Sequence, residues 1–101
     1  MRNYELTFVL SANLPKEDQD KILTKVKKLV TDANGKIGEI KEWGKRELAY
    51  PVLPAARHGQ REKEGFFFTL FLELEGNEAK LLENKIKVEE DVLRHLLVRK
   101  E

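Results

Sequence analysis

The chain has 101 residues, with 19 basic and 18 acidic side chains and a formal charge of +1 at pH 7. A chain of this length predicts a single domain over residues 1–101, large enough to bury a core without a metal or a cross-link. Cysteine is absent, which excludes disulfides, thiolate metal sites and cysteine nucleophiles.

The N-terminal third predicts a strand followed by a helix. Alternate residues from Tyr4 to Leu10 are apolar, which is the period of two typical of a strand. Pro15 fits the first turn of a helix, and apolar residues then recur at i, i+4, i+7 and i+8. The members of that stripe are Ile22, Val26, Leu29 and Val30. We expect Asn34-Gly35 to end the helix, with Gly35 in the left-handed conformation.

Residues 36–52 predict a long second strand with a disturbed pattern. Ile37, Ile40 and Trp43 are three residues apart, and a regular strand cannot place all of them on one side. Gly38 and Gly44 are therefore the expected bulge or bend positions. A loop is expected over 53–64 and a third strand over 65–75. One face of that strand is wholly apolar, so we expect its side chains to be buried, and its rings are then not free to stack on the bases of a nucleic acid. The members of this face are Phe66, Phe68, Leu70, Leu72 and Leu74.

The C-terminal third predicts a helix that begins at an Asn77 N-cap and ends near Lys87, then a last strand over 92–99. The order strand, helix, strand, strand, helix, strand is the split βαβ plan of an α+β, ferredoxin-like sandwich. This plan is a four-stranded antiparallel sheet with two helices on one face, so the other face and the edges stay open for binding. The expected core contains Leu6, Phe8, Val26, Leu70, Leu72, Leu82 and Leu97.

No pattern in the sequence indicates an enzyme, a metal site or a cofactor. His58 and His95 are the only histidines, and without cysteine or a spaced carboxylate they do not make a metal site. His95 is expected to be a sheet residue with a satisfied ring. No apolar run approaches the ~20 residues that cross a bilayer, and Met1-Arg2 leads into an alternating strand. We therefore expect a cytoplasmic protein with no membrane partner.

Basic side chains in or beside the strands are the candidates for RNA contact. They are Arg2, Lys45, Arg46, Arg94 and Arg99, with Arg57, Arg61 and Lys63 in the expected loop. A sheet can bring Arg2, Lys45 and Arg46 together from distant points, and arginine suits bidentate phosphate contact. Tyr50 adds a flat ring and a hydroxyl at the end of the basic strand. The charge of only +1 argues against tight RNA binding without a partner.

The run from Trp43 to Val52, WGKRELAYPV, is the most specific stretch of the chain. It resembles the signature of one bacterial ribosomal family, the sixth protein of the small subunit: glycine, positive charge, Leu, Ala or Ser, Tyr, Pro and an aliphatic residue. Three further segments resemble the same family in the same order. They are the opening at 1–5, the Glu-Gly-aromatic-aromatic start at 64–67, and the closing strand at 91–99.

The resemblance implies a structural component of the small ribosomal subunit that performs no reaction. Members of the family bind the central domain of small-subunit ribosomal RNA, as a heterodimer with the eighteenth small-subunit protein. By matching positions, the resemblance implies RNA contact at Arg2, Lys45, Arg46 and Arg94, and makes Tyr50 and Pro51 signature residues. The chain departs from the family pattern at four places: Val52-Leu53, His95, the longer loop at 53–64, and its end at Glu101 right after the last strand.

Two other classes of protein remain open. The split βαβ plan also hosts small-molecule regulatory or ligand-binding modules, which need polar groups that converge in a cavity. It hosts small acyl-phosphate hydrolases too, which need an arginine and an asparagine placed to hold a phosphoryl group. Arg2 and Asn13 are the possible pair for such a site.

Overall fold

Six elements follow one another in the predicted order in a computed structural model. It describes residues 1–52 and 62–100, and the side chains of all of these except 48–52 and 62. The elements are β1 (Arg2–Ser11), α1 (Lys16–Asp32), β2 (Lys36–Val52), β3 (Glu62–Leu74), α2 (Gly76–Lys87) and β4 (Val92–Lys100). The strands form one antiparallel sheet in the order β2-β3-β1-β4. The predicted fold class is confirmed.

Both helices pack on one face of the sheet, where alternate residues of the two central strands form the core. β1 supplies Tyr4, Leu6, Phe8 and Leu10, and β3 supplies Phe68, Leu70, Leu72 and Leu74. The rings of Phe8 and Phe68 stack with their centroids 5.4 Å apart. Each fully buried side chain of this kind contributes about 1.5–3 kcal/mol of hydrophobic stabilisation. Two residues that were predicted to be buried are only partly buried, Leu97 and Phe66. Leu97 lies on the edge strand β4, and Phe66 lies at the end of the core row of β3, beside Lys45 of the edge strand β2.

The end of α1 differs from the prediction in which residue takes the left-handed conformation. Asn34, with φ of 61°, is that residue, and Gly35 is not. The Asn34 N–H donates to the Thr31 carbonyl at 3.0 Å, and the Gly35 N–H donates to the Val30 carbonyl at 2.9 Å. These are the paired hydrogen bonds of a Schellman motif with asparagine at its C′ position. Gly35 is required for another reason, since the side chains of Val30 and Leu74 lie where its Cβ would be.

Three predicted boundaries shift by a few residues. The predicted N-cap Asn77 is wrong, because α2 begins at Gly76 and Glu75 is its N-cap, whose carbonyl accepts from the N–H groups of Glu78 and Ala79. Pro15 is likewise the N-cap of α1 rather than a residue of its first turn. β3 begins at Glu62, inside the predicted loop. The rest of that loop, 53–61, lies outside the described residues.

β2 contains the irregularities that its glycines predict. The register against β3 shifts between Ile37 and Ile40 and again between Glu42 and Gly44. Gly44 has φ of 81°, a conformation that costs a non-glycine residue about 1–2 kcal/mol. The first shift keeps Ile37 and Ile40 on the core side. Trp43 lies on the opposite side of the sheet, where it bonds Thr69.

Candidate binding face of the sheet

The face of the sheet away from the helices is not covered by any of the described elements. The register assigns the following residues to this open face: Asn3, Glu5, Thr7 and Val9 of β1; Lys36, Lys41 and Arg46 of β2; Phe67, Thr69, Phe71 and Glu73 of β3; and Arg94, Leu96, Val98 and Lys100 of β4. Trp43 of β2 lies in a register shift, and its hydrogen bond to Thr69 places it on the same face. One row crosses all four strands through Leu96, Thr7, Thr69 and Lys41. Strands lie about 4.8 Å apart, so such a row offers a surface roughly 14 Å wide.

Trp43 is held in place on the open face although its side chain is 45% exposed. Its indole Nε1–H donates to the Thr69 hydroxyl at 2.9 Å. The Thr69 hydroxyl also lies 3.1 Å from the Thr7 hydroxyl. The chain of three side chains fixes the edge of the ring against the two central strands, so a ligand that stacks on Trp43 meets an ordered surface.

Two basic side chains of β2 lie beside that ring. The Lys41 ammonium is 5.6 Å from the centroid of Trp43 and 5.6 Å from that of Phe71, within the range of a cation–π contact. The Arg46 guanidinium Nε–H donates to the Trp43 carbonyl at 3.2 Å. Aromatic rings and cations are therefore interleaved along the β2 half of the open face.

The open face is more basic than the chain as a whole. Its register-assigned residues include five cations: Lys36, Lys41, Arg46, Arg94 and Lys100. They include two carboxylates, and the Glu5 carboxylate pairs with the Lys100 ammonium at 2.8 Å. A surface with such an excess of cations attracts phosphate even when the net charge of the chain is near zero.

The structure does not bring the four predicted RNA contacts together. Arg46 and Arg94 share the open face. Lys45 lies on the helix side, with its ammonium 5.6 Å from the centroid of the Phe66 ring. Arg2 is also on the helix side, because it is two residues before buried Tyr4, and it lies near Gly76 at the start of α2. The expected convergence of Arg2, Lys45 and Arg46 is therefore wrong. Lys45 and Arg46 point to opposite faces because they are neighbours on one strand, and Arg2, paired with Leu74, lies toward the other end of β3 from Phe66, the partner of Lys45.

The remaining candidates lie at the margins of the sheet. Lys63 is exposed at the start of β3, and Arg99 is exposed on the helix side of β4, opposite Tyr4. The backbone of Tyr50 belongs to β2. Arg57, His58 and Arg61 lie outside the described residues. His95 packs against α2, with its Nε2 3.6 Å from the Glu83 carboxylate.

A groove on the helix side includes Phe66, the ring that the Lys45 ammonium contacts. It is a cavity of about 500 Å³ between the start of α1 and β2, lined in part by Leu14, Gln19 and Phe66. Gln19 is buried there and donates from its amide to the Leu14 carbonyl at 2.8 Å. At the rim, the hydrogen bond and charge of Asp20, with a smaller contribution from Glu42, raise the pKa of Lys16 above its ordinary value.

The geometry separates the residues that an acyl-phosphate hydrolase would need. Arg2 begins β1 and Asn13 follows its end. A strand rises about 3.3 Å per residue, so the two residues lie roughly 30 Å apart. They cannot hold one phosphoryl group.

A ligand-binding module is also poorly supported. A cavity of about 430 Å³ opens at the other end of the sheet beside Phe71 and Gly38. Four of its polar lining residues, Asn3, Lys36, Glu73 and Lys100, are exposed at the rim, and the side chain of the fifth, Tyr4, is buried in the core on the helix side. None of them is both buried and aimed into the cavity, which is what small-molecule recognition requires. Within residues 1–52 and 62–100, no group of three or more His, Asp or Glu side chains is placed to hold a metal ion, and no helix could span a bilayer.

Sequence reasoning missed Lys41 and Trp43 as site residues, together with Lys36 and Lys100. The signal for Trp43 was present in the three-residue spacing of Ile37, Ile40 and Trp43. The register shift between Ile37 and Ile40 allows these two residues to share the core side although they are three residues apart. Trp43 is three residues after Ile40, an odd number, so it lies on the opposite side of the sheet, beside Lys41.

Comparisons with known proteins agree with the fold and with the resemblance of the signature. A profile of the family described as Ribosomal protein S6 matches residues 3–99. The small ribosomal subunit protein bS6 of Caldanaerobacter subterraneus is 32% identical over 98% of this chain and 97% of its own length. That of Clostridioides difficile is 34% identical over 97% of this chain and 98% of its own. The crystal structure of 30S ribosomal protein S6 from Thermotoga maritima superposes with a TM-score of 0.83 at 26% identity, over 98% of this chain and 87% of that one.

Proposed function

Because the chain belongs to the ribosomal protein S6 family, we propose that it binds the central domain of small-subunit ribosomal RNA together with the eighteenth small-subunit protein. Membership in the family makes it a structural protein of the small ribosomal subunit and places it with the ribosomes of the cytoplasm. What we propose beyond family membership is the region of ribosomal RNA that is bound, the partner protein, and the residues that contact each of them. We also propose that residues 1–101 form a single protein domain.

The observation that carries the proposal is the division of the open face into two halves. Near β2 it presents rings and cations, with Trp43 between Lys41 and Arg46. Near β4 it presents aliphatic side chains, and Leu96 is 61% exposed and Val98 41% exposed. Rings and cations suit RNA, whereas exposed aliphatic side chains on an edge strand suit a protein partner.

Phosphate contacts are assigned first to Arg46 and Arg94. They stand near the two edges of the open face, about three strand spacings or roughly 14 Å apart, so one RNA strand that crosses the sheet can meet both. Arg2 and Lys45 contact RNA in this proposal only where it passes to the helix side. Tyr50, Arg57, Arg61, Lys63 and Arg99 remain proposed contacts to RNA or to the partner protein.

The net charge determines how the two partners depend on each other. A chain of charge +1 has few cations in excess of its carboxylates, so it displaces few counterions from RNA. RNA therefore binds weakly to this chain in the absence of a partner protein. A partner protein seated near β4 adds its own RNA contacts to the same complex. The two proteins then lose translational and rotational freedom once for both surfaces, and RNA binds the pair more tightly than it binds either protein.

Retention on ribosomal subunits at increasing salt tests this assignment. A tagged copy is expressed in bacteria, and small subunits are isolated through a series of rising KCl concentrations. We expect the parent chain to stay bound to the small subunit together with the eighteenth protein. The Arg46→Ala/Arg94→Ala double variant should dissociate at lower salt than the control Lys28→Ala, which removes an exposed cation of α1. The proposed function is contradicted if the tagged chain is recovered with large subunits, or if it is not bound to any subunit at the lowest salt concentration.

A further inference from the structure

We propose that Trp43, Phe67 and Arg46 form a stacking site for one unpaired RNA base. This inference rests on the proposed function, because it names a contact within the RNA-binding half of the open face. The class of ligand is a single-stranded or bulged ribonucleotide. A base paired inside an A-form helix is excluded, because its face is covered by its neighbours.

The site is a shallow cavity on the open face. It has a volume of about 230 Å³ and is lined by Thr7, Trp43, Arg46 and Phe67. Two of these four residues are aromatic. Phe67 is half-buried and Trp43 is 45% exposed, so both rings belong to the accessible surface. Every nucleobase has a flat π-face that such rings can stack on without selecting a sequence.

The Trp43 ring is organised before any ligand arrives. Its Nε1–H is bonded to the Thr69 hydroxyl at 2.9 Å, and that hydroxyl also lies 3.1 Å from the Thr7 hydroxyl. The Arg46 Nε–H bonded to the Trp43 carbonyl ties the guanidinium to the same residue. A ring that is already fixed loses little side-chain entropy when a base stacks on it.

Charge complementarity favours a nucleotide over a protein side chain at this cavity. Arg46 lines it, and the Lys41 ammonium lies 5.6 Å from the Trp43 centroid. A stacked nucleotide brings phosphates to both cations, whereas an apolar protein side chain leaves their charges without a partner. The aliphatic Leu96 and Val98, which suit a protein, lie on β4 at the opposite edge of the sheet.

The test uses the fluorescence of the full-length protein. Trp43 is the only tryptophan of the chain, so its emission reports the site directly. The probes are an adenylate decamer RNA, a ten-base-pair RNA duplex and inorganic tripolyphosphate at equal phosphate concentration. We expect the decamer to quench Trp43 at concentrations at least tenfold lower than the other two. Equal quenching by tripolyphosphate or by the duplex contradicts base stacking.

Variants separate the flat ring from its charge environment. Binding of the labelled decamer is followed by anisotropy, and Trp43→Leu is expected to weaken it about tenfold, as for removal of one stacked base. Trp43→Phe, which keeps a ring without the Nε1–H, should lose less than threefold. Leu81→Ala, which changes an exposed residue of α2, is the matched control and should bind like the parent protein. Equal binding by all four proteins contradicts the inference.

The same variants distinguish failure of this inference from failure of the proposed function. Suppose Trp43→Leu assembles with central-domain RNA and the eighteenth protein as tightly as the parent chain does. The proposed function then holds and the stacking site is wrong. Quenching of Trp43 by the eighteenth protein without RNA would make this ring a protein contact and would also overturn the inference. Failure of the parent chain to bind central-domain RNA with its partner rejects the proposed function, whatever the decamer does.

Discussion

Gly35 fixes the distance between the end of α1 and the strand β3. A Cβ atom at this position would lie 2.5 Å from Leu74 Cδ2, 2.7 Å from the Glu73 carbonyl oxygen and 2.9 Å from Val30 Cγ1. The backbone oxygen cannot move aside as a flexible side chain can. The close approach of α1 to the sheet therefore depends on the absence of a side chain at Gly35.

Replacement of Gly35 by alanine should destabilise the fold. We expect Gly35→Ala to lower the free energy of unfolding by about 1–3 kcal/mol, the usual cost of overpacking, in urea unfolding. Gly76→Ala is the matched control, because the nearest atom to its Cβ would be 3.6 Å away and it lies in the first turn of α2. That variant should be neutral or slightly stabilising, since alanine favours the helix. Equal unfolding midpoints for the two variants would show that the Gly35 contact is easily relieved.

Arg46 should act on RNA affinity and leave stability unchanged. It is exposed, and its hydrogen bond to the Trp43 carbonyl does not involve a buried group. Arg46→Ala is expected to change the free energy of unfolding by less than about 0.5 kcal/mol. It should reduce the slope of log affinity against log salt for central-domain RNA by about 1. Titrations at several salt concentrations measure the slope, and Lys28→Ala on α1 should leave it unchanged. A large loss of stability in Arg46→Ala would make Arg46 a structural residue.

At the scale of elements, hydrophobic periodicity was sufficient to predict the order and type of all six helices and strands. The period of two in β1 and the helical stripe from Ile22 to Val30 arise because one side of each element packs against the core. Boundaries were less predictable because they depend on single local contacts. Asn34 and Gly35 are both residue types that commonly end helices, so the sequence does not show which of them takes the left-handed conformation. It also does not show that Gly35 lies against Leu74, because the two residues are far apart in the chain.

The candidate site was less predictable than the fold, because the face of a strand residue depends on register. Each shift in β2 exchanges the two faces for all residues that follow it. Lys45 and Arg46 were predicted to act together, yet they point to opposite faces as consecutive residues. Lys41 and Trp43 act together because they are two residues apart and because Thr69, on the neighbouring strand, holds the indole. Sequence alone does not contain the position of Thr69 beside Trp43.

The edge strand β4 gives a prediction for the partner protein. Leu96 is 61% exposed on the open face, so a charge there costs the free chain little. Leu96→Asp should weaken binding of the eighteenth small-subunit protein at least tenfold, because a carboxylate would be buried in the interface without a partner. Calorimetric titration measures the affinity, and Leu81→Asp on the exposed side of α2 is the control. Unchanged affinity in Leu96→Asp would move the partner to another surface.

At the scale of the whole molecule, the fold separates two surfaces on one rigid sheet. The core between the helices and the sheet fixes the positions of all four strands. The open face carries cations and rings toward β2 and aliphatic side chains toward β4. RNA and protein can therefore occupy neighbouring areas of one platform, and each can stabilise the binding of the other without a change in the conformation of the chain.

Filter binding of a central-domain RNA fragment, with and without the eighteenth protein, is the decisive test of a platform shared by RNA and protein. We expect weak binding to the chain alone and much tighter binding to the pair at the same salt concentration. We also expect the reciprocal effect, in which the RNA fragment raises the affinity of the two proteins for each other by the same factor. Equal RNA affinity with and without the partner would contradict a shared platform.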